Sequence, residues 1–258
     1  MRQLDGHRVV VTGAASGMGA ALVRAFVREG AQVACFDVDD AAGQEVVSLA
    51  NGDGPGSATY HHVDVSSRVD VRRGMSAAVS HLGGLDSLVH AAAIERGAPA
   101  EDLSDEDWDL VLDVNAKGTM LTNQEAFRHL RDNGGCILNF ASDSGMDGQV
   151  GAAHYAASKG AVLAWTRTIA REWGKFGIRV NAIAPAIWTP MYSGFRERAD
   201  PAALEAHDQA MARVIALGGR LGDPERDFAP VMVFLVGEGA RFITGQTIAV
   251  NGGKTFVR

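Results

Sequence analysis

Three side chains that can exchange or share protons with an alcohol stand out in the sequence: Ser142, Tyr155 and Lys159. Tyr155 and Lys159 are at positions i and i+4, so on a helix they share one face. A phenol has a pKa of about 10, and a neighbouring ammonium group favours its phenolate form. Tyr155 can then serve as acid and base at an alcohol or carbonyl oxygen, with Ser142 hydrogen-bonded to the same oxygen. An exposed helix pair and an unrelated serine remain the alternative interpretation.

A glycine-rich turn follows the first strand-like run of the chain, HRVVVT, which ends at Thr12. The turn Gly13-Ala14-Ala15-Ser16-Gly17-Met18-Gly19 leads directly into the helical pattern AALVRAFVREG. Glycines let a backbone approach a pyrophosphate closely, and the helix N-terminus offers free N–H groups and a favourable dipole. A tight turn without a ligand is the alternative, but the strand, turn and helix context favours phosphate binding.

An acidic residue, Asp37, ends the second strand-like run, 18 residues after Gly19. An acidic side chain at this point can accept hydrogen bonds from the ribose diol of an adenosine and would repel a 2′-phosphate. Val38, Asp39 and Asp40 follow, and none of them can neutralise such a phosphate. The sequence therefore predicts NAD as the preferred cofactor over NADP. Capping of the next turn or helix is the alternative role for Asp37.

These residues need a scaffold that brings the ends of separate strands together. Helical segments separate the first six of seven apolar or β-branched runs, and this alternation predicts a parallel sheet with right-handed crossovers and helices on both faces. We expect a single-domain α/β protein over residues 1–258, a Rossmann-like doubly wound sheet of about seven strands. Residues 190–218 interrupt the pattern and are predicted to form a substrate lid. The seven runs are HRVVVT, AQVACFD, ATYHHVDV, LDSLVHA, GCILNFAS, IRVNAIAP and QTIAVNG.

Composition excludes several functional classes. The chain has 258 residues, 47% hydrophobic and 21% charged, which is ordinary globular usage and unlike disordered or fibrous proteins. Its net charge of -7 disfavours a broad nucleic-acid footprint or attraction to an anionic membrane. The partner is therefore expected to be a small molecule.

Cysteine and histidine usage indicates neither a disulfide framework nor a metal site. Cys35 and Cys136 each lie in an apolar run, where buried thiols are common. His61 and His62 are adjacent in a strand-like run, so their rings point to opposite faces and cannot share a metal ion. The N-terminus reaches a strand-like run too early for a secretory signal, and no apolar stretch approaches a membrane span. A cytoplasmic protein without a metal is expected.

Taken together, these motifs resemble those of the short-chain dehydrogenase/reductase family over nearly the whole chain. Thr12 to Gly19 matches the family loop T-G-x-x-x-G-x-G. The resemblance implies an NAD(P)-dependent oxidoreductase, commonly a homotetramer, with Asn115, Ser142, Tyr155 and Lys159 as the catalytic set. The implied cofactor-binding residues are Gly13, Ser16, Gly17, Met18, Gly19, Asp37, Asp64, Val65, Ala91, Ala92, Tyr155, Lys159, Pro185, Ile187 and Thr189.

The sequence departs from the family pattern in two segments. Where the family has N-N-A-G after the fourth strand, this chain has His90-Ala91-Ala92-Ala93, so His90 is expected to pack or to brace the sheet in place of an asparagine. The family's Pro-Gly is Pro185-Ala186 here, and Thr189 follows one residue sooner than usual. Contacts to the nicotinamide amide are therefore less well defined by the sequence than contacts to the pyrophosphate.

The substrate pocket is expected to combine apolar and polar side chains. Trp188, Met191 and Tyr192 are predicted to supply an apolar wall beside the nicotinamide. Some polar residues, either close to Ser142 and Tyr155 in the sequence or just after the fourth strand, are expected to orient the substrate: Asp143, Gln149, His154, Glu95 and Arg96. This mixture favours a small to medium cyclic or hydroxylated secondary alcohol over a long acyl chain.

Two other functions remain open. A non-catalytic NAD(H)-sensing regulator could keep the same fold, but it would not need the proton-transfer set of Asn115, Ser142, Tyr155 and Lys159. A reductase of C=C bonds is a further alternative. Related enzymes of that kind space the tyrosine and lysine more widely than the four residues found here. We therefore expect an NAD-dependent dehydrogenase that interconverts secondary alcohols and ketones.

Overall fold

The computed structural model describes residues 2–256, apart from the side chain of Met191. Seven strands alternate with helices along this part of the chain. The strands are β1 (Arg8–Thr12), β2 (Gln32–Asp37), β3 (Ser57–His62), β4 (Ser87–His90), β5 (Gly135–Phe140), β6 (Ile178–Pro185) and β7 (Thr247–Val250). The helices are α1 (Gly17–Arg28), α2 (Asp40–Asn51), α3 (Arg68–Leu82), α4 (Asp105–Leu112), α5 (Gly118–Leu130), α6 (Ser144–Asp147), α7 (Ala153–Trp173), α8 (Pro190–Arg198), α9 (Pro201–Val214) and α10 (Ala229–Val236).

All seven strands form one parallel sheet in the order β3-β2-β1-β4-β5-β6-β7. The order reverses direction between β1 and β4, which is the point where open α/β sheets leave a crevice for a ligand. The predicted single-domain, doubly wound fold with seven strands is confirmed.

Apolar side chains cover both faces of the sheet. One buried cluster includes Leu22 and Phe26 of α1 with Met232 of α10. The other includes Met75 of α3 and Leu121 of α5. The inner strands β1, β2, β4, β5 and β6 are largely buried on both faces, which explains why their sequences are mainly apolar runs instead of alternating ones. The polar groups that remain for chemistry lie at the carboxyl ends of the strands.

His90 ends β4 at the centre of this edge, opposite Thr12 of β1 and Asn139 of β5. Its ring is buried, with Nδ1 2.9 Å from Thr12 Oγ1 and 3.0 Å from Thr122 Oγ1 of α5. Burial lowers the pKa of His90 to about 3, so the ring is neutral at physiological pH. The imidazole braces β1, β4 and α5, which is the role expected where the family has an asparagine.

The segment predicted as a lid, residues 190–218, is largely helical. Two contacts join α8 and α9. The Arg196 guanidinium forms a bidentate salt bridge with the Asp208 carboxylate, and Tyr192 Oη lies 3.0 Å from His207 Nε2. Each helix starts with a capping residue followed by proline: Thr189 caps α8 and Asp200 caps α9. The two helices therefore form one packed hairpin, and its movement as a lid stays a prediction.

Within residues 2–256, no helix is long and apolar enough to cross a membrane. The same residues contain no group of three or more His, Cys, Asp or Glu side chains arranged to hold a metal ion. Cys35 and Cys136 are buried free thiols, as their apolar surroundings in the sequence predict.

Candidate active site

A cavity of about 580 Å³ opens along the carboxyl edge of the sheet. It extends from the end of β2 past the glycine turn to the start of α7. Every residue that the sequence assigns to cofactor binding lines it: Gly13, Ser16, Gly17, Met18, Gly19, Asp37, Asp64, Val65, Ala91, Ala92, Tyr155, Lys159, Pro185, Ile187 and Thr189. Ser142 also lines it, whereas Asn115, Trp188 and Tyr192 do not.

The glycine turn is packed too tightly for side chains at two positions. A Cβ atom on Gly19 would lie 2.0 Å from the carbonyl oxygen of Gly13, and one on Gly13 would lie 2.7 Å from the backbone nitrogen of Ala92. Gly13 also has φ of +65°, a left-handed conformation that favours glycine. The turn thus brings the N-terminus of α1 against the ends of β1 and β4, with its backbone facing the cavity. This geometry fits a pyrophosphate.

Asp37 is held in a fixed position at one end of the cavity. Its Oδ2 accepts a hydrogen bond from Ala15 N at 2.9 Å, and its Oδ1 accepts from Val38 N at 2.8 Å and from Asp39 N at 3.1 Å. Asp64 is anchored similarly through Ser66 N at 2.8 Å. Both carboxylates border the cavity where an adenosine would extend from a pyrophosphate on the glycine turn.

The described lining residues include one basic side chain, Lys159, and it lies on α7 at the start of the opposite wall. No arginine or lysine among them accompanies Asp37. A 2′-phosphate next to Asp37 would therefore meet a negative charge without a compensating positive one.

Ser142, Tyr155 and Lys159 meet in the cavity because β5 and α7 lie against each other. Lys159 Nζ is buried, donates to the carbonyl oxygen of Phe140 at 2.7 Å and lies 5.6 Å from the centroid of the Tyr155 ring. Phe140 ends β5, two residues before Ser142. The helical spacing of four residues places Tyr155 and Lys159 on one face, as predicted, and that face is turned towards the cavity.

The pKa values of Tyr155 and Lys159 differ from the sequence-based expectation that the Lys159 ammonium group favours the phenolate form of Tyr155. Burial, followed by the charge of Glu95, raises the pKa of Tyr155 to about 12, and the Ser142 hydroxyl opposes this rise. Burial lowers the pKa of Lys159 to about 8, while Glu95 opposes that change. Proximity of the two groups is therefore not sufficient to make Tyr155 a phenolate at neutral pH. A phenol with a pKa this high acts as a base only at alkaline pH, whereas it can donate its proton at neutral pH.

Asn115 occupies a π-helical turn, Asp113–Lys117, between α4 and α5. Its side-chain amide accepts from Ile94 N at 2.8 Å, donates to Ile94 O at 2.9 Å and donates to Ser158 Oγ at 3.0 Å. The buried amide thus joins the loop after β4 to α7, next to Lys159 in the chain. The water relay suggested for Asn115 stays a prediction.

The segment after β6 borders the opposite side of the cavity. Ala186 N donates to the carbonyl oxygen of Val250, and the carbonyl oxygen of Ala186 accepts from Gly222 N. This backbone pairing positions Ile187 and Thr189. Thr189 and Pro190 lie next to Gly17, because a Cβ atom built on Gly17 would be 3.7 Å from side-chain atoms of both residues. This segment therefore borders the glycine turn. The substitution of alanine for the family's glycine leaves the local backbone paired. A contact with a nicotinamide amide stays a prediction.

The aromatic residues predicted to line the substrate wall have other contacts in this structure. The Trp188 ring lies edge-on to Tyr192 at 4.9 Å between centroids, and the Arg196 guanidinium lies over both rings. Trp188 Nε1 donates to Ser193 Oγ at 2.9 Å. These contacts hold α8 together beside the cavity. The side chain of Met191 is outside the described part of the chain, and substrate contact by these three residues stays a prediction.

Among the polar residues considered for the pocket, the structure separates two groups. Asp143 is buried near Asn251 and Lys254, Arg96 pairs with Asp107, and His154 is buried and does not line the cavity. In contrast, Ser142, Ser144, Gln149 and Glu95 form a hydrogen-bonded chain. Glu95 and Gln149 are both among the polar residues expected at the pocket. The hydrogen bond between them could not be read from the sequence, because 54 positions separate the two residues.

Comparisons with known proteins agree with this geometry. A family model described as "Enoyl-(Acyl carrier protein) reductase" matches residues 13–255. The chain is 37% identical to meso-2,3-butanediol dehydrogenase of Serratia marcescens, with 98% of this chain and 96% of that protein covered. It is 35% identical to a 3-oxoacyl-[acyl-carrier-protein] reductase of Thermotoga maritima, with 97% and 98% covered.

Among solved structures, the crystal structure of levodione reductase superimposes with a TM-score of 0.91 at 28% sequence identity, covering 97% of this chain and 98% of that one. Fold, motifs and relatives therefore agree over nearly the full length, and the chain belongs to the short-chain dehydrogenase/reductase family of oxidoreductases.

Proposed function

We propose that this protein is an NAD-dependent dehydrogenase that interconverts a secondary alcohol and a ketone. The observation that carries the proposal is the shared cavity, in which a phosphate-type glycine turn and Asp37 lie at one end and Ser142, Tyr155 and Lys159 at the other. A pocket with both parts suits hydride transfer between a bound nicotinamide cofactor and an alcohol.

The residues present fit NAD. Gly13 and Gly19 allow the turn to pack closely against the protein backbone, with which a Cβ atom at either position would collide. The exposed backbone of the turn suits a pyrophosphate. Asp37 would accept from the ribose hydroxyls, and Lys159 would hold the nicotinamide ribose. When bound, the nicotinamide would accept or supply the hydride, which is the chemistry that the protein side chains lack.

Tyr155 would transfer the proton. In oxidation its oxygen takes the hydroxyl proton of the alcohol, and in reduction it returns a proton to the carbonyl oxygen. Ser142 would donate a hydrogen bond to the same oxygen and orient it. Asn115 would support a water relay that exchanges protons with solvent. The sensor alternative has no use for this arrangement.

The relatives support a carbonyl or carbinol group as the reacting centre. The Serratia marcescens protein is named for a butanediol, and the Thermotoga maritima protein for an oxoacyl group. We propose a small to medium cyclic or hydroxylated secondary alcohol as substrate. The buried free thiols of Cys35 and Cys136 support action in the reducing cytoplasm.

Absorbance at 340 nm tests the activity. The purified protein is expected to form NADH from NAD with at least some members of a panel of secondary alcohols, and to consume NADH with the matching ketones. Calorimetric titration with NAD is run in parallel. Tight NAD binding without turnover of any alcohol or ketone would favour the sensor, and turnover confined to C=C substrates would favour an enoyl reductase.

The lid prediction concerns Trp188 and Tyr192. Trp188→Ala and Tyr192→Ala should each remove contacts that hold α8 beside the cavity, so KM and substrate preference are expected to change while NAD affinity stays nearly intact. Leu49→Ala, which shortens an exposed apolar side chain on α2, is the matched control. Unchanged kinetics in both lid variants would refute this prediction.

The assembly prediction is a homotetramer with D₂ symmetry, based on the family resemblance. The helical segments at about 104–131 and 154–175 and the C-terminal segment from Ile243 are expected to form its interfaces. Large apolar side chains are exposed on or next to these segments: Trp108, Phe176, Phe242 and Phe256. Light scattering should give about four times 27.2 kDa. A monomer throughout the micromolar range would refute the prediction.

A further inference from the structure

Glu95 is an acidic side chain at the reacting end of the cavity. The charged residues that line the cavity in the described part of the chain are Asp37, Asp64, Glu95 and Lys159. Asp37 and Asp64 follow β2 and β3, at the proposed adenosine end. Glu95 instead follows β4, and its charge acts on both Tyr155 and Lys159. It therefore faces the part of the cavity where a substrate would react.

Glu95 is exposed, and its side chain is held by a hydrogen bond from Gln149. Its Oε1 accepts a hydrogen bond from Gln149 Nε2 at 2.6 Å. Gln149 Oε1 in turn accepts from Ser144, and Ser142 donates to Ser144 Oγ at 3.1 Å. A backbone hydrogen bond from Ala98 N to Gly151 O at 2.8 Å ties the loop that carries Glu95 to the segment before α7. The carboxylate is thus linked to Ser142 through two side chains.

One carboxylate oxygen of Glu95 is available for another donor. Among the described residues, Gln149 is the group that donates to this side chain, and it does so at Oε1. A carboxylate oxygen can accept further hydrogen bonds, and Oε2 lies on a side chain that borders the cavity. Hydrogen bonds to a charged acceptor are stronger than those between neutral groups.

A negative charge at this point opposes the oxidative direction of the proposed chemistry. A base works by losing its proton, and Glu95 raises the pKa of Tyr155 and so favours its protonated form. The Glu95 charge is therefore a disadvantage for oxidation unless Glu95 contributes to substrate binding. It would do so by accepting a hydrogen bond from a donor group of the substrate.

We infer that Glu95 is a specificity-determining residue that selects diols and polyols by accepting a hydrogen bond from a second hydroxyl group close to the reacting carbinol. This inference rests on the proposed dehydrogenase function and narrows its substrate class. The same carboxylate repels carboxylate and phosphate groups on a substrate. An ammonium group would donate equally well, but the proposed substrate is a hydroxylated secondary alcohol, so the donor is taken to be a neutral hydroxyl.

Paired substrates that differ by one hydroxyl group test the inference. The pairs are 2,3-butanediol with 2-butanol and cyclohexane-1,2-diol with cyclohexanol, each oxidised with NAD. In the wild-type protein, kcat/KM for the diol should exceed that for the mono-alcohol by roughly 10- to 100-fold, the value expected for a hydrogen bond to a charged group. Glu95→Gln and Glu95→Ala should bring this ratio towards one.

The matched control is Glu101→Gln, which removes the same charge from an exposed carboxylate that does not line the cavity. It should keep the wild-type ratio. A second readout is the pH profile, because loss of the Glu95 charge lowers the pKa of Tyr155. In Glu95→Gln, the limb of kcat/KM that rises with pH should shift to lower pH, for both members of a pair.

The outcomes separate the two proposals. No turnover of any alcohol or ketone would refute the dehydrogenase function itself. Turnover of mono-alcohols with a diol ratio that Glu95→Gln leaves unchanged would refute the inference alone. Wild-type preference for 1-amino-2-propanol or for 3-hydroxybutyrate over the diols would also refute it, since the site would then select an ammonium group or an anion.

Discussion

Tyr155→Phe should lower turnover by roughly 10²- to 10⁴-fold, the range typical for loss of a general acid or base. Phenylalanine keeps the ring, so the packing against Lys159 at 5.6 Å is retained while the transferable proton is lost. NAD affinity, measured by calorimetric titration, should stay close to the wild-type value. The decrease should appear in both oxidation and reduction, because the same phenol serves both directions.

Tyr60→Phe is the matched control for this substitution. Tyr60 lies on β3, where its single hydroxyl proton is shared between two acceptors, Asp40 Oδ1 at 2.8 Å and the carbonyl oxygen of Asp37 at 2.9 Å. Turnover at saturating NAD should therefore remain near that of the wild type. Near-normal turnover in Tyr155→Phe would mean that another group transfers the proton, and the assignment of Tyr155 would be wrong.

Asp37→Ala should lower the preference for NAD over NADP, expressed as the ratio of the two kcat/KM values, by at least tenfold. Each hydrogen bond from a ribose hydroxyl to a carboxylate contributes about 1.5–3 kcal/mol, and every 1.4 kcal/mol or so corresponds to a factor of ten. Loss of the negative charge also removes the repulsion of a 2′-phosphate. NAD should become a poorer substrate and NADP a better one.

A second variant at Asp37 is needed because its carboxylate also accepts hydrogen bonds from the protein backbone. Alanine also removes the acceptor for Ala15 N and Val38 N, so Asp37→Asn, which keeps one oxygen, separates loop stability from charge. Asp39→Asn is the control, since Asp39 carries the same charge two residues later and caps α2 through Ala42 N. A wild-type preference for NADP, or an unchanged ratio in both Asp37 variants, would contradict the role given to Asp37.

Local sequence patterns were sufficient to predict the fold and part of the candidate site. The alternation of apolar runs and helical segments predicts the parallel sheet, because each element has its own periodicity within a few residues. The glycine turn and the four-residue spacing of Tyr155 and Lys159 are local as well. Gly19 must be glycine because its Cβ would collide with Gly13 six residues away, a constraint that a short motif can carry.

Contacts between distant segments required the tertiary structure. The partner of His90 is Thr12, 78 positions away, and the partner of Glu95 is Gln149, 54 positions away. These pairs form only because β1 and β4 are neighbours in the sheet and because the loop after β4 reaches the segment before α7. Burial, which raises the pKa of Tyr155, depends in the same way on what packs around it.

The sequence by itself thus determined the fold, the glycine-rich turn and the shared helix face of Tyr155 and Lys159, since these depend on residue type and short spacing. The tertiary structure decided which polar groups near Tyr155 and Lys159 face the cavity. It placed Glu95 in the cavity lining with a hydrogen bond from Gln149, directed Asp143 towards Asn251, and engaged Trp188 with Tyr192 and Arg196. The physical reason is that side-chain orientation in loops depends on hydrogen bonds and packing between segments far apart in the chain.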